Sequence, residues 1–372
     1  MIFIGSILLF VYIITLVVLL FGYQKIKIFK CKNDNPTIQF SIIIPFRNEA
    51  SHLPDLLKSI EKLDYPTALF ELIFVDDEST DQSVNNIITE STFNNYKIIK
   101  NIRKSASPKK DAITEAIKIS KFDWIVTTDA DCRLPENWLM IFNQFIQENN
   151  PTMIAGSVGY QIEKGLINTY QQLDNFSLQT VTIGGFGFKN PLMCNGANLA
   201  YRKDVFTEIL GFAGNDSVAS GDDIFLMEKF VKRDKNGVQF LKNKDAVVIT
   251  AAENSWSDII NQRIRWASKT SKQNNVTSKF IGLIVFLMSL YLIVGILFCL
   301  LHFSFIKFLI GFLVSKLIID FIFSSQTAYF TKKRIHLLSY FSNAIVYPFI
   351  TVFVVLNSIY GSYKWKGRAF KK

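Results

Sequence analysis

The chain has 372 residues, of which 49% are apolar, 14% aromatic and only 19% charged. That composition excludes a disordered chain, which needs low hydrophobicity and high charge, and it falls short of the roughly 25% charged residues of soluble domains. The net charge of +10, from 41 Lys and Arg against 31 Asp and Glu, suits contact with nucleic acid, anionic lipid or a phosphate-bearing substrate, and the placement of the charges decides among them. Cys31, Cys132, Cys194 and Cys299 are scattered with no CxxC, and His52, His302 and His336 are isolated. Neither a disulfide framework nor a zinc site is expected, so a catalytic metal would be held by oxygen ligands.

Residues 1–24 carry no charge, and about 20 apolar residues cross a bilayer as a helix. A signal peptide fits poorly, because no Lys or Arg precedes the apolar run and no small-residue cleavage site follows it. Lys25, Lys27, Lys30 and Lys32 come directly after and place that end in the cytoplasm by the positive-inside rule. Residues 33–278 read as a soluble domain. Strands are expected at Gln39–Pro45, Leu69–Val75, Tyr96–Ile99 and Trp124–Thr128, with helices near Glu49–Lys62, Asp81–Thr89 and Lys109–Ile119. This β-α-β-α rhythm of compact apolar strands indicates an α/β fold with a mostly parallel, covered sheet. Such sheets bind ligands at the carboxyl ends of their strands.

Residues 279–363 turn apolar again, with spans expected at Phe280–Leu301, Phe303–Ser325 and Leu337–Tyr363. The middle segment carries Lys307, Lys316 and Asp320, of which Lys316 and Asp320 sit four apart and can pair on one helix face. The basic tail, residues 364–372, prefers the cytoplasm. Four complete crossings would put it outside, so one C-terminal segment is expected to be re-entrant or interfacial, leaving two or three C-terminal membrane helices.

The acids fall after strands. The first strand runs into Arg47-Asn48-Glu49, the second ends in Asp76-Asp77, and the fourth ends in Asp129-Ala130-Asp131. In an extended segment residues two apart share a side, so Asp129 and Asp131 can converge on one cation. Magnesium or manganese, with a diphosphate supplying further oxygens, suits two such carboxylates. Further on, Asp222 and Asp223 follow Gly221 and open an amphipathic helix, Ile224–Lys232. On another helix Gln262, Arg265 and Trp266 share a face by their three- and four-residue spacing. An Arg beside an indole can hold a diphosphate while the ring packs on an acceptor.

These segments in this order, SIIIPFRNEA (41–50), FVDDEST (74–80), TTDADC (127–132), NGANLAYRKDVF (195–206), SGDDIF (220–225) and QRIRW (262–266), resemble the membrane-bound family 2 glycosyltransferases, with nearest likeness to ceramide-glucosyltransferase-like and polysaccharide-synthase-like members. The resemblance covers about residues 38–270. It implies a GT-A nucleotide-sugar-binding domain flanked by transmembrane helices, and a divalent metal cofactor. By position it implies that Asp76 and Asp77 contact the nucleoside near Pro45 and Glu49, that Lys109 approaches the nucleotide, and that Asp129 and Asp131 hold the diphosphate through the metal. It further implies a catalytic base at Asp223, and a diphosphate and acceptor motif at Gln262, Arg265 and Trp266. Where the family often has Glu-Asp, this chain has Asp222-Asp223, which leaves open which acid is the base. The partners implied are a nucleotide diphosphate sugar, UDP-linked on family usage, a lipid or glycan acceptor, and the membrane, with no nucleic acid. The expected setting is a bacterial inner membrane with the catalytic domain in the cytoplasm.

Three other activities fit these motifs less well. A processive polysaccharide synthase shares QxxRW, but few C-terminal spans are present to line a channel. A sugar-nucleotide pyrophosphorylase needs a glycine-rich basic loop after the first strand, and the chain has none. A membrane receptor or transporter with a nucleotide-sugar-binding domain would not require so many acids at strand ends.

Overall fold

The computed structural model describes residues 1–32, 35–161, 164–215, 220–270, 272–360, 363–365 and 368–370. The tail positions Lys366, Lys371 and Lys372 therefore lie outside the described residues. The chain forms two compact units, one of residues 26–161 and 189–251, the other of residues 1–25, 162–188 and 252–372.

The first unit is built on a sheet. Its strands are β1 (Phe40–Phe46), β2 (Phe70–Asp76), β3 (Tyr96–Lys100), β4 (Trp124–Thr127), β5 (Cys132–Arg133), β6 (Met153–Gly156), β7 (Val158–Tyr160), β8 (Leu199–Arg202), β9 (Val238–Leu241) and β10 (Val248–Thr250). The main sheet has the order β3-β2-β1-β4-β8-β6-β9, and a smaller one the order β5-β10-β7. Strands β3, β2, β1 and β4 run parallel. Strand β8 is antiparallel to both β4 and β6, which makes the sheet mostly, not wholly, parallel. All of the residues from Phe40 to Ile44 on β1 and from Phe70 to Val75 on β2 are buried, as expected of strands covered on both faces. Pro45 lies beyond Ile43, the last β1 residue paired with β4, where a strand tolerates a residue without an N–H.

Helices α2 (Leu53–Glu61), α3 (Ser83–Glu90), α4 (Pro108–Ile119) and α5 (Trp138–Asn149) cover this sheet. On α2 the buried residues are Leu53, Leu56, Leu57 and Ile60, the i, i+3, i+4, i+7 stripe of a helix lying on a core. They share that core with Phe40, Ile42, Phe74, Trp138 and Phe142. Helix α2 starts four residues later than the sequence suggests. Asn48 has φ +51°, and the Glu49 carboxylate is turned inward to His52 Nδ1 at 2.9 Å, so residues 47–52 form a turn instead of a first helical turn.

The second unit is helical: α1 (Ile2–Lys25), α6 (Leu166–Gly187), α9 (Trp256–Thr270), α10 (Val276–Leu301), α11 (Ile306–Phe330) and α12 (Leu337–Tyr360), with α7 (Lys203–Glu208) and α8 (Asp222–Arg233) belonging to the sheet unit. Among the described residues three helices are long and apolar enough to cross a membrane: Ile2–Lys25, Val276–Leu301 and Leu337–Ile359. One is N-terminal and two are C-terminal. Helix α11 is as long, and it pairs two of its charges. Lys316 bonds Asp320, and the Tyr12 hydroxyl of α1 donates to Asp320 Oδ1 at 2.5 Å. Helices α1 and α6 approach closely through glycine: a Cβ on Gly187 would lie 1.9 Å from the Gly22 carbonyl oxygen. Residues 363–365 and 368–370 pair as a short antiparallel hairpin.

Candidate functional site

The carboxyl ends of β1, β2 and β4 gather the acids anticipated from sequence. After β4 the chain keeps to β1 for one residue, with the Thr128 N–H donating to the Ile43 carbonyl at 3.2 Å, and then turns, with the Cys132 N–H donating to the Asp129 carbonyl at 3.2 Å. Asp129 and Asp131 thus stand on a tight turn and not on the extended segment expected. The physical reason is the short strand β5 that follows: Cys132 pairs with Thr250 of β10, and the Asp131 carbonyl accepts the Ala251 N–H at 3.1 Å. Asp131 faces a small recess that it shares with His52, Asp55, Arg133, Gln161 and Thr250.

Lys109 joins this turn to the second acidic segment. Its Nζ lies 2.6 Å from Asp129 Oδ1 and 3.2 Å from Asp222 Oδ2. A cation in the first turn of α4 opposes the helix dipole, so the carboxylates, not the helix, account for its place. Burial lowers the Lys109 pKa, but Asp129 and Asp222, with Asp223 behind them, outweigh it and hold the ammonium above its ordinary range. Asp222 and Asp223 open α8 behind Gly221, whose φ of +83° sets the turn into the helix. Asp222 is buried. Asp223 accepts the Ile224 N–H through Oδ1 at 2.8 Å and the Gly196 N–H through Oδ2 at 3.3 Å.

Gly196 forms the floor of this cluster, a role that sequence reasoning missed. A Cβ there would lie 3.0 Å from Asp222 Oδ2 and 3.4 Å from Lys109 Nζ, and its carbonyl accepts the Thr127 hydroxyl at 2.7 Å. The signal was present in the segment Asn195-Gly196-Ala197, since glycine marks a close approach.

Asp76 and Asp77 stand at the end of β2 in different states. Asp76 Oδ1 accepts the Ser79 N–H at 2.9 Å. Asp77 is buried, and its Oδ1 accepts from Asn101 Nδ2 at 2.8 Å and Arg103 Nε at 2.7 Å. Arg47 donates to the Asp77 carbonyl at 2.5 Å and the Glu78 carbonyl at 2.7 Å. Asp77 is therefore held by Arg103 and Asn101, neither of which was singled out from sequence. Glu49 is buried with its N–H on the Ser83 hydroxyl at 2.7 Å, and Pro45 sits one strand residue before Phe46, the partner of Asp76.

Gln262, Arg265 and Trp266 lie on α9 in the helical unit. Gln262 Nε2 donates to Glu253 Oε1 at 2.9 Å. The guanidinium over the Trp266 ring is that of Arg263, 4.2 Å from the centroid.

Among the described residues no group of three or more His, Cys, Asp or Glu gathers to hold a metal. Asp129 and Asp131 fit a hard cation of the Mg²⁺ type, which is bound by one or two carboxylates and completes its shell with substrate phosphate and water. That Asp129 already faces an ammonium marks it as a place where positive charge is held.

Comparison with known proteins places this geometry. Residues 41–210 match the family described as Glycosyl transferase family 2. Over 117 residues the chain is 28% identical to the poly(ribitol-phosphate) β-N-acetylglucosaminyltransferase TarS of Staphylococcus aureus, covering 32% of this chain and 20% of that protein. Over 161 residues it is 24% identical to the β-monoglucosyldiacylglycerol synthase of a Nostoc species, covering 40% of this chain and 33% of that protein. The matches thus span a fifth to a third of those proteins' own lengths. In fold, the chain is similar to the mannosyltransferase PcManGT from Pyrobaculum calidifontis, solved in complex with GDP-Man and Mn²⁺, with a TM-score of 0.57 and 13% identity over 96% of this chain and 98% of that one. The mostly parallel sheet and the acids at its strand ends accord with that likeness: residues 41–210 are similar to Glycosyl transferase family 2, and the fold is similar to that of a mannosyltransferase solved with a nucleotide sugar.

Proposed function

We propose that the chain transfers a sugar from a nucleotide diphosphate sugar, UDP-linked, to a hydroxyl of a membrane lipid at the cytoplasmic face, inverting the anomeric configuration. The observation that carries this proposal is the Lys109 ammonium between Asp129 and Asp222, of which Lys109 and Asp129 lie in the segment similar to Glycosyl transferase family 2. One cluster thereby offers positive charge for a diphosphate and a carboxylate for a proton.

Asp76 binds the ribose or base, and Asp77 keeps the loop after β2 in place for it through Arg103 and Asn101. Pro45 and Glu49 shape the neighbouring wall. Asp129 and Asp131 hold a divalent metal, which when bound offsets charge on the donor diphosphate. Lys109 shifts from the acids to the leaving diphosphate as negative charge develops there. Asp223 accepts the proton of the attacking hydroxyl. Asp222, paired with Lys109 and buried, holds that ammonium in place. No second carboxylate is assigned as a nucleophile, which corresponds to a single displacement and inversion. Gln262 and Arg265 bind diphosphate, and Trp266 borders the acceptor. The lipid acceptor is supported by the diacylglycerol-linked activity in the name of the Nostoc relative and by the three apolar helices. The cytoplasmic face is supported by Lys25, Lys27, Lys30 and Lys32 after the first of them. The sheet unit, with the acids, and the helical unit serve as donor-binding and membrane domains respectively.

The test is incubation of membranes bearing the chain with a panel of labelled nucleotide sugars, followed by lipid extraction. Label in the organic phase that depends on Asp223 supports the proposal. Label only in insoluble polymer would replace it with a polysaccharide synthase, and no label from any donor would overturn transfer altogether.

A further inference from the structure

Helix α6 seats the helix that carries Gln262 and Trp266. The buried Gln171 makes a reciprocal pair with the backbone of Glu253: its Nε2 donates to the Glu253 carbonyl at 3.0 Å, and its Oε1 accepts the Glu253 N–H at 2.9 Å. Glu253 Oε1 in turn accepts from Gln262 Nε2 at 2.9 Å. Three residues along the same face of α6, Asp174 Oδ2 lies 2.5 Å from an Arg263 guanidinium nitrogen, both side chains 9% exposed. The Arg263 guanidinium lies 4.2 Å from the Trp266 ring centroid. Tyr170, next to Gln171, packs edge-on against Trp256 at the start of α9, with ring centroids 5.3 Å apart. Two residues of the QxxRW motif are therefore each reached from α6 through one intermediary.

We propose that Asp174 and Gln171 are positioning residues for the transfer: Asp174 fixes the Trp266 indole through Arg263, and Gln171 fixes Gln262 through Glu253. This rests on the acceptor-side role proposed for Trp266. Stability alone is a poor explanation for Asp174 and Arg263, because a buried ion pair is often replaceable by apolar residues at no loss. What the pair does supply is orientation. A buried carboxylate in ion contact with a guanidinium draws it to one place, and a guanidinium so placed locates the ring stacked against it. Arg263→Lys keeps the charge but removes the planar group that lies over the Trp266 ring.

The test uses the full chain in lipid nanodiscs. Asp174→Asn and Arg263→Lys are expected to raise the KM for the lipid acceptor on the order of tenfold or more, as misplacement of a positioning group does; the KM for the nucleotide sugar stays unchanged in Asp174→Asn, whereas Arg263→Lys also raises it, because Arg263 Nη1 donates to Gln262 Oε1 at 3.1 Å. Asp174→Asn with Arg263→Gln should be no worse than either alone, as expected of residues acting as one unit. Asp174→Glu, which keeps the charge, should recover part of the acceptor affinity and guards against a misfolded Asp174→Asn. The near-ultraviolet circular dichroism change caused by Asp174→Asn should vanish in a Trp266→Phe background. An unchanged acceptor KM accompanied only by a lower Tm, or a dichroism change that survives Trp266→Phe, overturns the proposal. If the unaltered chain glycosylates no lipid, the lipid-transfer reading fails, and the dichroism comparison still decides whether Asp174 positions Trp266.

Discussion

Lys109 Nζ lies 2.6 Å from Asp129 Oδ1, so the first acid of the Asp-Ala-Asp turn is paired with a cation of the chain itself. The same ammonium is 3.2 Å from Asp222 Oδ2, which ties the turn after β4 to the start of α8. Removing it leaves two carboxylates facing each other. Lys109→Met is expected to lower kcat/KM for the nucleotide sugar by about 10²–10³, the usual loss on deleting one group that stabilises developing charge. Lys109→Arg should not restore it, since a planar guanidinium does not replace a compact ammonium between two acids. Steady-state kinetics with varied donor would check both.

Asp222 and Asp223 are separated by what already holds them. Asp222 is buried against Lys109. Asp223 is the less buried of the two, and its carboxylate accepts the Ile224 and Gly196 N–H groups. Asp223→Asn should reduce transfer by about 10²–10⁴, the range for loss of a general base, with donor affinity retained. Asp222→Asn should instead weaken donor binding and lower Tm. Isothermal titration with the donor beside turnover measurements separates the two, and near-normal turnover in Asp223→Asn would move the base to Asp222.

The parallel strands were legible because Ile42–Ile44 and Leu72–Val75 are compact apolar runs, and the acids were legible because they follow such runs directly. Strand direction was not, since alternation and burial are the same for β8 whichever way it runs. The grip of Arg103 on Asp77 was hidden because sheet order, not sequence distance, brings the end of β3 beside the end of β2. Helix α6 escaped notice for another reason. Its 22 residues mix Gln, Thr and Asn with apolar positions and hold the single charge Asp174, so hydropathy flags it neither as a span nor as part of the unit it packs in. The stacking of Arg263 on Trp266 is an i, i+3 contact of the kind spacing allows, whereas the ion pair of Arg263 with Asp174 on α6 joins residues far apart in the chain and was not legible.

Asp131 is expected to be the more metal-sensitive of the two turn acids, because Asp129 has the Lys109 ammonium beside it. Asp131→Ala should raise the Mn²⁺ concentration needed for half-maximal activity on the order of tenfold to a hundredfold, the loss typical of an altered metal site. Chelation with EDTA should abolish transfer, and Mn²⁺ or Mg²⁺ should restore it. Full activity in EDTA would remove the metal from the mechanism and leave Lys109 as the cation facing the diphosphate.

Lys242 carries a pH signature for the segment between α1 and the sheet. Its Nζ donates to the Ile26 carbonyl at 3.1 Å, and its own carbonyl accepts the Phe29 N–H at 2.9 Å. Asn243 Nδ2 adds a bond to the Phe29 carbonyl at 3.1 Å. Burial lowers the Lys242 pKa from 10.5 to about 8. Below pH 8 the side chain is charged in the folded and the unfolded chain alike, so stability does not change with pH on its account. Between about 8 and 10.5 the unfolded chain holds a proton that the folded chain has released, and stability rises with pH through that window. Thermal melts of the wild type and Lys242→Met should therefore differ in slope: the wild type gains Tm relative to the variant from pH 8 to 10, and the two run parallel from pH 6 to 7.5. Parallel curves across the whole range would show that Lys242 keeps its proton in the folded chain, and that the carbonyl of Ile26 suffices to hold it.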